Sequence, residues 1–420
     1  MSGLTAAQKI VARAAKRERV EVGETVWAWP DLVTTPEVSF PAYVGRLGGI
    51  GVREFRHPER VVVAIDHEVP VHSREGAERN VLTRRLAGEF KVGKLLDGEG
   101  ITHPLVVERG LVRPGMFCAG ADSHAPGLGG VGALSMPFGF ELTMILAIGR
   151  IWLPVPETVK VSLQGDLPPG VAARDVILHV FRHLGPARAN GRVIEFGGPG
   201  VANLSVRERM TLCGLCVDLG GETGIVPADE VTLGYLRDAG IADAEPVVSD
   251  ADAPYADTLE IDLARLEPMV SVPPSPLEVR TVAELGEVPI QHAYIGSCVS
   301  GSLMELRQVA GYLKERRVHP GVQMLVIPST TTIYREAMQE GLLSTFLSAG
   351  AQVSPPTCGP CFGGLAQLAA GETRISTSTR NDPGRMGSKD AFIYLGSAMT
   401  VAASAVAGRI VDPRQAGFAS

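Results

Sequence analysis

Short apolar runs alternate with longer amphipathic stretches along this chain. From Gln291 onward, "QHAYIGSC" is an apolar run ending in a turn. "SGSLMELRQVAGYLKER" follows with helical spacing, and Ser302 with Glu305 forms a capping box at its start. "VQMLVIPS" reads as a buried strand, "TIYREAMQEGLL" as a helix, and "AQVSPPT" as a strand leading into a cysteine loop. "GLAQLAAGE" reads as a helix closed by Gly371. "TRISTSTRN" and "DAFIYLGS" read as further strands, and "AMTVAASAVAGRI" as a last helix. Such alternation predicts an α/β fold with a mostly parallel, two-sided sheet.

The earlier part is also mixed α/β. Thr5 with Gln8 caps a first helix running toward Arg17. "ERVVVAIDHEVP" is a buried strand running into Asp66 and His67. "GMFCAGADSHAPGLGGVGALSMPFG" is a strand entering a glycine-dense loop with Asp122, Ser123 and His124, and "FELTMILAIGR" is a helix. The proline-rich stretch around "LEPMVSVPPSPLEVRTV" lacks periodicity and reads as a linker. The expected organisation is therefore two α/β sub-domains in residues 1–267, a linker at 268–280, and a third sub-domain at 281–420. No internal repeat stands out.

Composition narrows the function classes. A chain of 420 residues, 45% hydrophobic and 20% charged, is long enough for several packed units. A net charge of -7 argues against broad nucleic-acid binding. No apolar run approaches the roughly 18 residues that span a membrane, and the basic start lacks the apolar core of a signal peptide. The cytoplasm is the expected compartment, where cysteines stay reduced.

Chemistry collects where strands end. Cys298, then Cys358 and Cys361, then Arg380 and Asn381 each follow a strand of the last region, so they share one rim. Ligands bind outside the carboxyl ends of such strands. "CGPC" could be a disulfide, a zinc site, a redox pair or part of an iron–sulfur centre. Zinc gains a second pair in "CGLC", residues 213–216, but that pair lies far off in sequence and in a helix-like, buried segment. A thioredoxin-like pair would open a helix early in a small domain and would not account for Cys298. Three cysteines on one rim suit a 4Fe–4S cluster with one iron lacking a protein thiolate, which would act as a Lewis acid. Cys298 and Cys361 each precede an expected helix start, and helix N-termini favour an anionic group.

Several motifs, in order, resemble the aconitase superfamily: "GEGITHPLVVERGLVRPG", "GADSHAPGLGGVGAL", "YIGSCVSGSLMELR", "PPTCGPC" and "STRNDPGRMGSKDAFIYLGSAMTVAASAVAGRIVDPR". The resemblance covers nearly the whole chain and is greatest to the large subunits of the isopropylmalate dehydratase and homoaconitase branch. It implies three related α/β sub-domains around a central 4Fe–4S cluster held by Cys298, Cys358 and Cys361. It implies a hydro-lyase or isomerase that dehydrates and rehydrates a hydroxy di- or tricarboxylic acid. Asp66, His67, His103, Asp122 and His124 would be catalytic; Ser123, Asp218, Arg380 and Arg385 would bind substrate. A carboxylate-held histidine is a suitable proton donor, and arginine grips carboxylates bidentately. The family's swivelling fourth domain, with its catalytic serine, is not found, so a separate small subunit is expected to supply it.

The chain departs from the family pattern at several points. "CVSG" replaces Cys-Thr-Asn, Gly214 and Asp218 replace Asn and Glu, Thr379 opens the usual N-R-N, and Pro36 with Glu37 replaces a His-Asp pair. These changes point to a shifted substrate, or to an inactive or regulatory paralogue that keeps its cluster. Plainer readings also exist. His67 could be a strand-end histidine satisfied by Asp66, His103 could be structural, and Arg380 and Arg385 could be surface partners of Asp382. Cys118 and Cys213 read as core residues; Cys216 reads either as packing or as a neighbour of the cluster.

Overall fold

The computed structural model describes residues 3–417. Three parallel sheets carry it, and they share one strand order. In the first, the order is Lys94–Asp97, Val61–Ile65, Leu32–Pro36, Phe117–Gly120, Leu134–Pro137, all parallel. In the second it is Thr223–Ile225, Val193–Gly197, Thr158–Gln164, Asp257–Asp262, again all parallel. The third has a parallel run Phe392–Leu395, Thr373–Ser376, His292–Ile295, Gln323–Val326, Gln352–Val353. Counting only the parallel strands in chain order, every sheet reads third, second, first, fourth, with a fifth in the outer two. The chain builds to one side of its first strand, then crosses to the other. That reversal opens a crevice at the carboxyl ends of the first and fourth strands.

Each sheet packs into a hydrophobic core, the first into one on each face. Strand Val61–Ile65 is buried along its whole length, as a parallel strand covered on both faces must be. The third sheet's Cys298 and Val299 pack into the core of the second, which fixes the two units against each other.

Most expected elements are present. The capping boxes at Thr5–Gln8 and Ser302–Glu305 open helices Ala6–Ala14 and Leu303–Leu313. Three expectations fail. The stretch 268–280 is not a free linker: Met269–Ser271 and Val279–Thr281 form an antiparallel pair at the edge of the third sheet. Prolines limit a strand to an edge, and here they lie in the turn between the two. "TIYREAMQEGLL" is two helices, Thr331–Gln339 and Leu342–Ala349, broken at Gly341 with φ 75. "GLAQLAAGE" is not a helix. Leu368 instead donates its N–H to Met386 O at 2.8 Å and accepts one from Ser388 at 2.9 Å, so its backbone pairs across the loop. Cys361 therefore sits in the 3-10 turn Gly359–Phe362, without an α-helix N-terminus after it. Among the described residues no helix is long and apolar enough to cross a membrane.

Candidate active site

Strand ends of the first and third sheets meet at one cavity. Cys298, Cys358 and Cys361 line it from the third sheet; Asp66, His67, His103, Asp122 and His124 line it from the first. Backbone contacts lock the two halves together. The Cys358 N–H donates to Asp66 O at 2.8 Å, and Thr357 Oγ1 donates to the carbonyls of Asp66 and His67 at 3.0 and 3.2 Å. The cysteine loop is thus built directly on the strand end that presents His67.

His67 is held by two carboxylates. Its Nδ1 lies 2.7 Å from Asp66 Oδ1 and 3.6 Å from Glu37 Oε2. The other Asp66 oxygen accepts the Thr102 N–H and hydroxyl, each at 2.7 Å. Glu37 is wholly buried and accepts the backbone N–H groups of Asp66, His67 and Glu68 at 3.2, 2.9 and 2.9 Å. Burial opposes the imidazolium, but the Asp66 and Glu37 carboxylates outweigh it and raise His67 well above 6.5. Burial likewise opposes ionisation of Asp66, but the His67 charge and hydrogen bond, with Thr102, hold it below 3.8.

The signs of the linked stability follow. The raised His67 stabilises the fold below pH 6.5, and that contribution is lost as pH rises through its higher folded value. The lowered Asp66 stabilises above pH 3.8 and is lost as pH falls through its folded value. Glu37→Gln removes one of the two carboxylates, so His67 should give up its proton at lower pH. An NMR titration of the histidines in the metal-free chain reads this directly.

The remaining polar groups form a chain leading away from the cavity. His103 Nε2 lies 2.9 Å from Asp122 Oδ1, while its buried Nδ1 has no partner. Burial would raise Asp122, but the His103 hydrogen bond and the nearby histidine charges pull it well below the usual carboxylate range. His124 Nε2 lies 3.2 Å from Asp218 Oδ2, and Arg380 Nε donates to Asp218 Oδ1 at 2.6 Å. Asp218 thereby joins His124 to Arg380, and its partner role replaces the expected surface pairing of Arg380 with Asp382. Burial would raise Asp218, but His124 and Arg380 hold it low. Ser123 Oγ lies 3.2 Å from His124 Nδ1. Of the expected substrate-gripping residues, only Arg385 lines the cavity itself, with its Nε donating to Cys361 O at 3.0 Å. Ser123, Asp218 and Arg380 do not line it.

Two departures from the family pattern fit each other. A Cβ on Gly214 would come within 3.0 Å of Val299 Cγ1. The valine after Cys298 thus occupies the space that a side chain at 214 would take. Thr379 Oγ1 lies 3.5 Å from Cys361 Sγ, so its hydroxyl still reaches the cysteine loop. The "GLGGVG" glycines serve packing: a Cβ on Gly130 would meet Met210 N at 2.5 Å, and one on Gly129 would meet Gly224 O at 2.0 Å. Cys216 belongs to the second core, where its thiol donates to Leu212 O at 3.3 Å.

The donor set suits an iron–sulfur cluster. Among the described residues, only Cys298, Cys358 and Cys361 of the six cysteines line this cavity. The Cys358 hydrogen bond holds Cys361 well below the usual thiol value against burial, and Arg385 and Thr379 add to it. Beside them, the buried Tyr294 hydroxyl has no partner, and all three cysteines act on it electrostatically. The buried His103 Nδ1, on a residue that lines the cavity, is a second polar atom left without a protein partner. Sequence reasoning overlooked Tyr294 and noted Glu37 only as a departure. A carboxylate directly after the fully buried strand Leu32–Pro36 was the available signal, because a charge there needs partners.

Comparisons with known proteins agree with this architecture. The sequence model of the Aconitase family (aconitate hydratase) matches residues 8–288 and 277–408. The chain is 40% identical over 415 residues to a 3-isopropylmalate dehydratase large subunit 1 of Methanopyrus kandleri, covering 98% of this chain and 99% of that one. It is 39% identical over 421 residues to a 3-isopropylmalate dehydratase large subunit of Moorella thermoacetica, with 98% and 99% covered. Among solved structures, Thermococcus kodakaraensis aconitase X in its holo-form matches with a TM-score of 0.50 at 14% identity, over 89% of each chain. That likeness concerns the fold alone.

Proposed function

The chain belongs to the aconitase family, and from that premise we propose that it is the cluster-holding large subunit of a hydro-lyase acting on 3-isopropylmalate or a related hydroxy di- or tricarboxylate. One observation carries the reading: three cysteines and a carboxylate-held histidine line a single cavity. Cys298, Cys358 and Cys361 would hold a 4Fe–4S cluster. When bound, the cluster supplies a Lewis acid at an iron without a protein thiolate, which weakens the bond to a departing hydroxyl.

The chain's own residues do the rest. Hydroxide is a poor leaving group, so it must leave as water. His67, kept as imidazolium by Asp66 and Glu37, donates the proton. His103 with Asp122, and His124 with Asp218, complete a polar wall that orients the substrate. Arg385 receives a substrate carboxylate at the cavity, and Arg380, aimed by Asp218, a second at its margin. Each of the site's aspartates is committed to a histidine or arginine, so none is free to take the carbon-bound proton. A serine on a small-subunit partner would take that proton and cap the cavity.

Assayed anaerobically with a co-expressed small subunit, the protein should hydrate a cis-unsaturated diacid. The chain alone should be at least about 10²-fold slower, since a whole base is missing. An intact cluster without turnover across a panel of unsaturated diacids would instead support the regulatory paralogue.

A further inference from the structure

Two arginines of the second sheet's helices reach across to loops at the strand ends of the third sheet. Arg174 begins helix Ala173–Ala189 and is 4% exposed. It donates Nη1 to Ser378 O at 2.9 Å and Nη2 to Thr377 O at 2.6 Å. Arg207 begins helix Val206–Gly214 and donates Nη2 to Ser329 Oγ at 3.2 Å and Ser300 O at 3.4 Å. Its Nε is buried with no partner. Ser300 follows Cys298 by two positions. Thr377 O also accepts the Ser297 hydroxyl at 2.9 Å.

Neither arginine has a carboxylate oxygen within 4.0 Å among the described residues. Arg209, on the same helix as Arg207, shows the ordinary arrangement: fully buried, with both Asp229 oxygens at 2.6 and 2.8 Å. The position makes the shortage worse. Both charges sit in a first helical turn, where the helix dipole disfavours a cation. Buried charges are normally paired.

The carboxylates nearest in the fold are engaged elsewhere. Glu305 serves the Ser302 N–H and hydroxyl and the Ser300 hydroxyl. Glu208 serves Ser205. Asp175 accepts the N–H groups of Ala172 and Met269. Both guanidiniums line a cavity with Glu208, Glu305 and Val299, and the carbonyls they grip adjoin the cysteine site: Ser300 stands two positions after Cys298, and Ser378 precedes Thr379, whose hydroxyl lies 3.5 Å from Cys361 Sγ. Burial lowers both arginines from their usual value, while nearby acids and the Cys298 thiol act to raise them; Cys361 does so for Arg174 too.

We propose that Arg174 and Arg207 are the buried counter-charges of the anionic cluster, holding its loops by their carbonyls and favouring its reduced, more negative state. This rests on the reading that Cys298, Cys358 and Cys361 carry a cluster. The two are positioning residues, because they act through the loops and through their field.

The test uses the anaerobically purified full chain with R174Q, R174K, R207Q and R207K. The readouts are the midpoint potential of the cluster, followed by EPR, and the rate of iron loss to a chelator. Removing a positive charge penalises the reduced state more than the oxidised one, so both Gln variants should shift the midpoint to more negative potential. The Lys variants should stay closer to the parent. Iron loss should quicken about 10-fold in the Gln variants. Arg207 is the less buried of the two, so its variants carry the test should R174Q fail to fold. Equal shifts in the Lys and Gln variants, or none, with the parent cluster present would overturn the counter-charge role alone. A parent chain without iron would overturn the functional reading and this one together.

Discussion

Cys361→Ala should leave the chain unable to assemble a cluster where the parent assembles one, and turnover with the partner subunit should fall by at least about 10³-fold. The size follows from the job: the Lewis acid contributes several kcal/mol, and nothing else in the cavity can replace it. Among the described residues no other thiol lines the cavity. Cys118 is in the buried strand Phe117–Gly120, and Cys213 and Cys216 are in the second core. Cys216→Ala is the matched control. It should keep the cluster and cost only the ~1 kcal/mol of a typical core change. Iron and sulfide analysis of the two variants separates the readings, because a zinc site sharing "CGLC" and "CGPC" would lose metal in both.

His67→Asn should lower kcat by about 10² to 10⁴-fold while leaving the cluster's spectrum intact. The donor is lost, but the cysteine loop keeps its footing, because Thr357 and Cys358 hold the backbone carbonyls of residues 66 and 67 rather than the imidazole. The pH profile adds a second check. With His67 raised well above 6.5, dehydration should persist through neutral pH and fall only as the imidazolium finally deprotonates. Steady-state kinetics beside an absorption spectrum measures both. A cluster lost together with His67 would mean that the side chain is structural.

The alternation of apolar runs was enough to place most strands and helices, since a parallel strand covered on both faces must be apolar throughout, as Val61–Ile65 is. It could not place residues 364–372. Their composition favours a helix, yet Leu368 pairs with the 386–388 segment, a contact that local propensity does not see. The shared strand order of the three sheets was equally hidden, because it is a property of pairing and leaves no repeat in the residues. Within the site, the cysteines and the Asp66–His67 pair stood out by residue type and strand-end position. Glu37 and Tyr294 did not: the partners that give each its meaning come from distant segments. Arg380 was legible as a candidate, but its true partner Asp218 lies in another sheet's unit.

The central claim is that Cys298, Cys358 and Cys361 together hold one four-iron cluster. Mössbauer spectroscopy of the anaerobically reconstituted ⁵⁷Fe chain, with iron and sulfide counted on the same sample, tests it most directly. A cubane signal with four irons and four sulfides per chain, one iron site responding selectively to added hydroxy diacid, is the expected result. Zinc without sulfide, or a two-iron signal that no diacid perturbs, would contradict it.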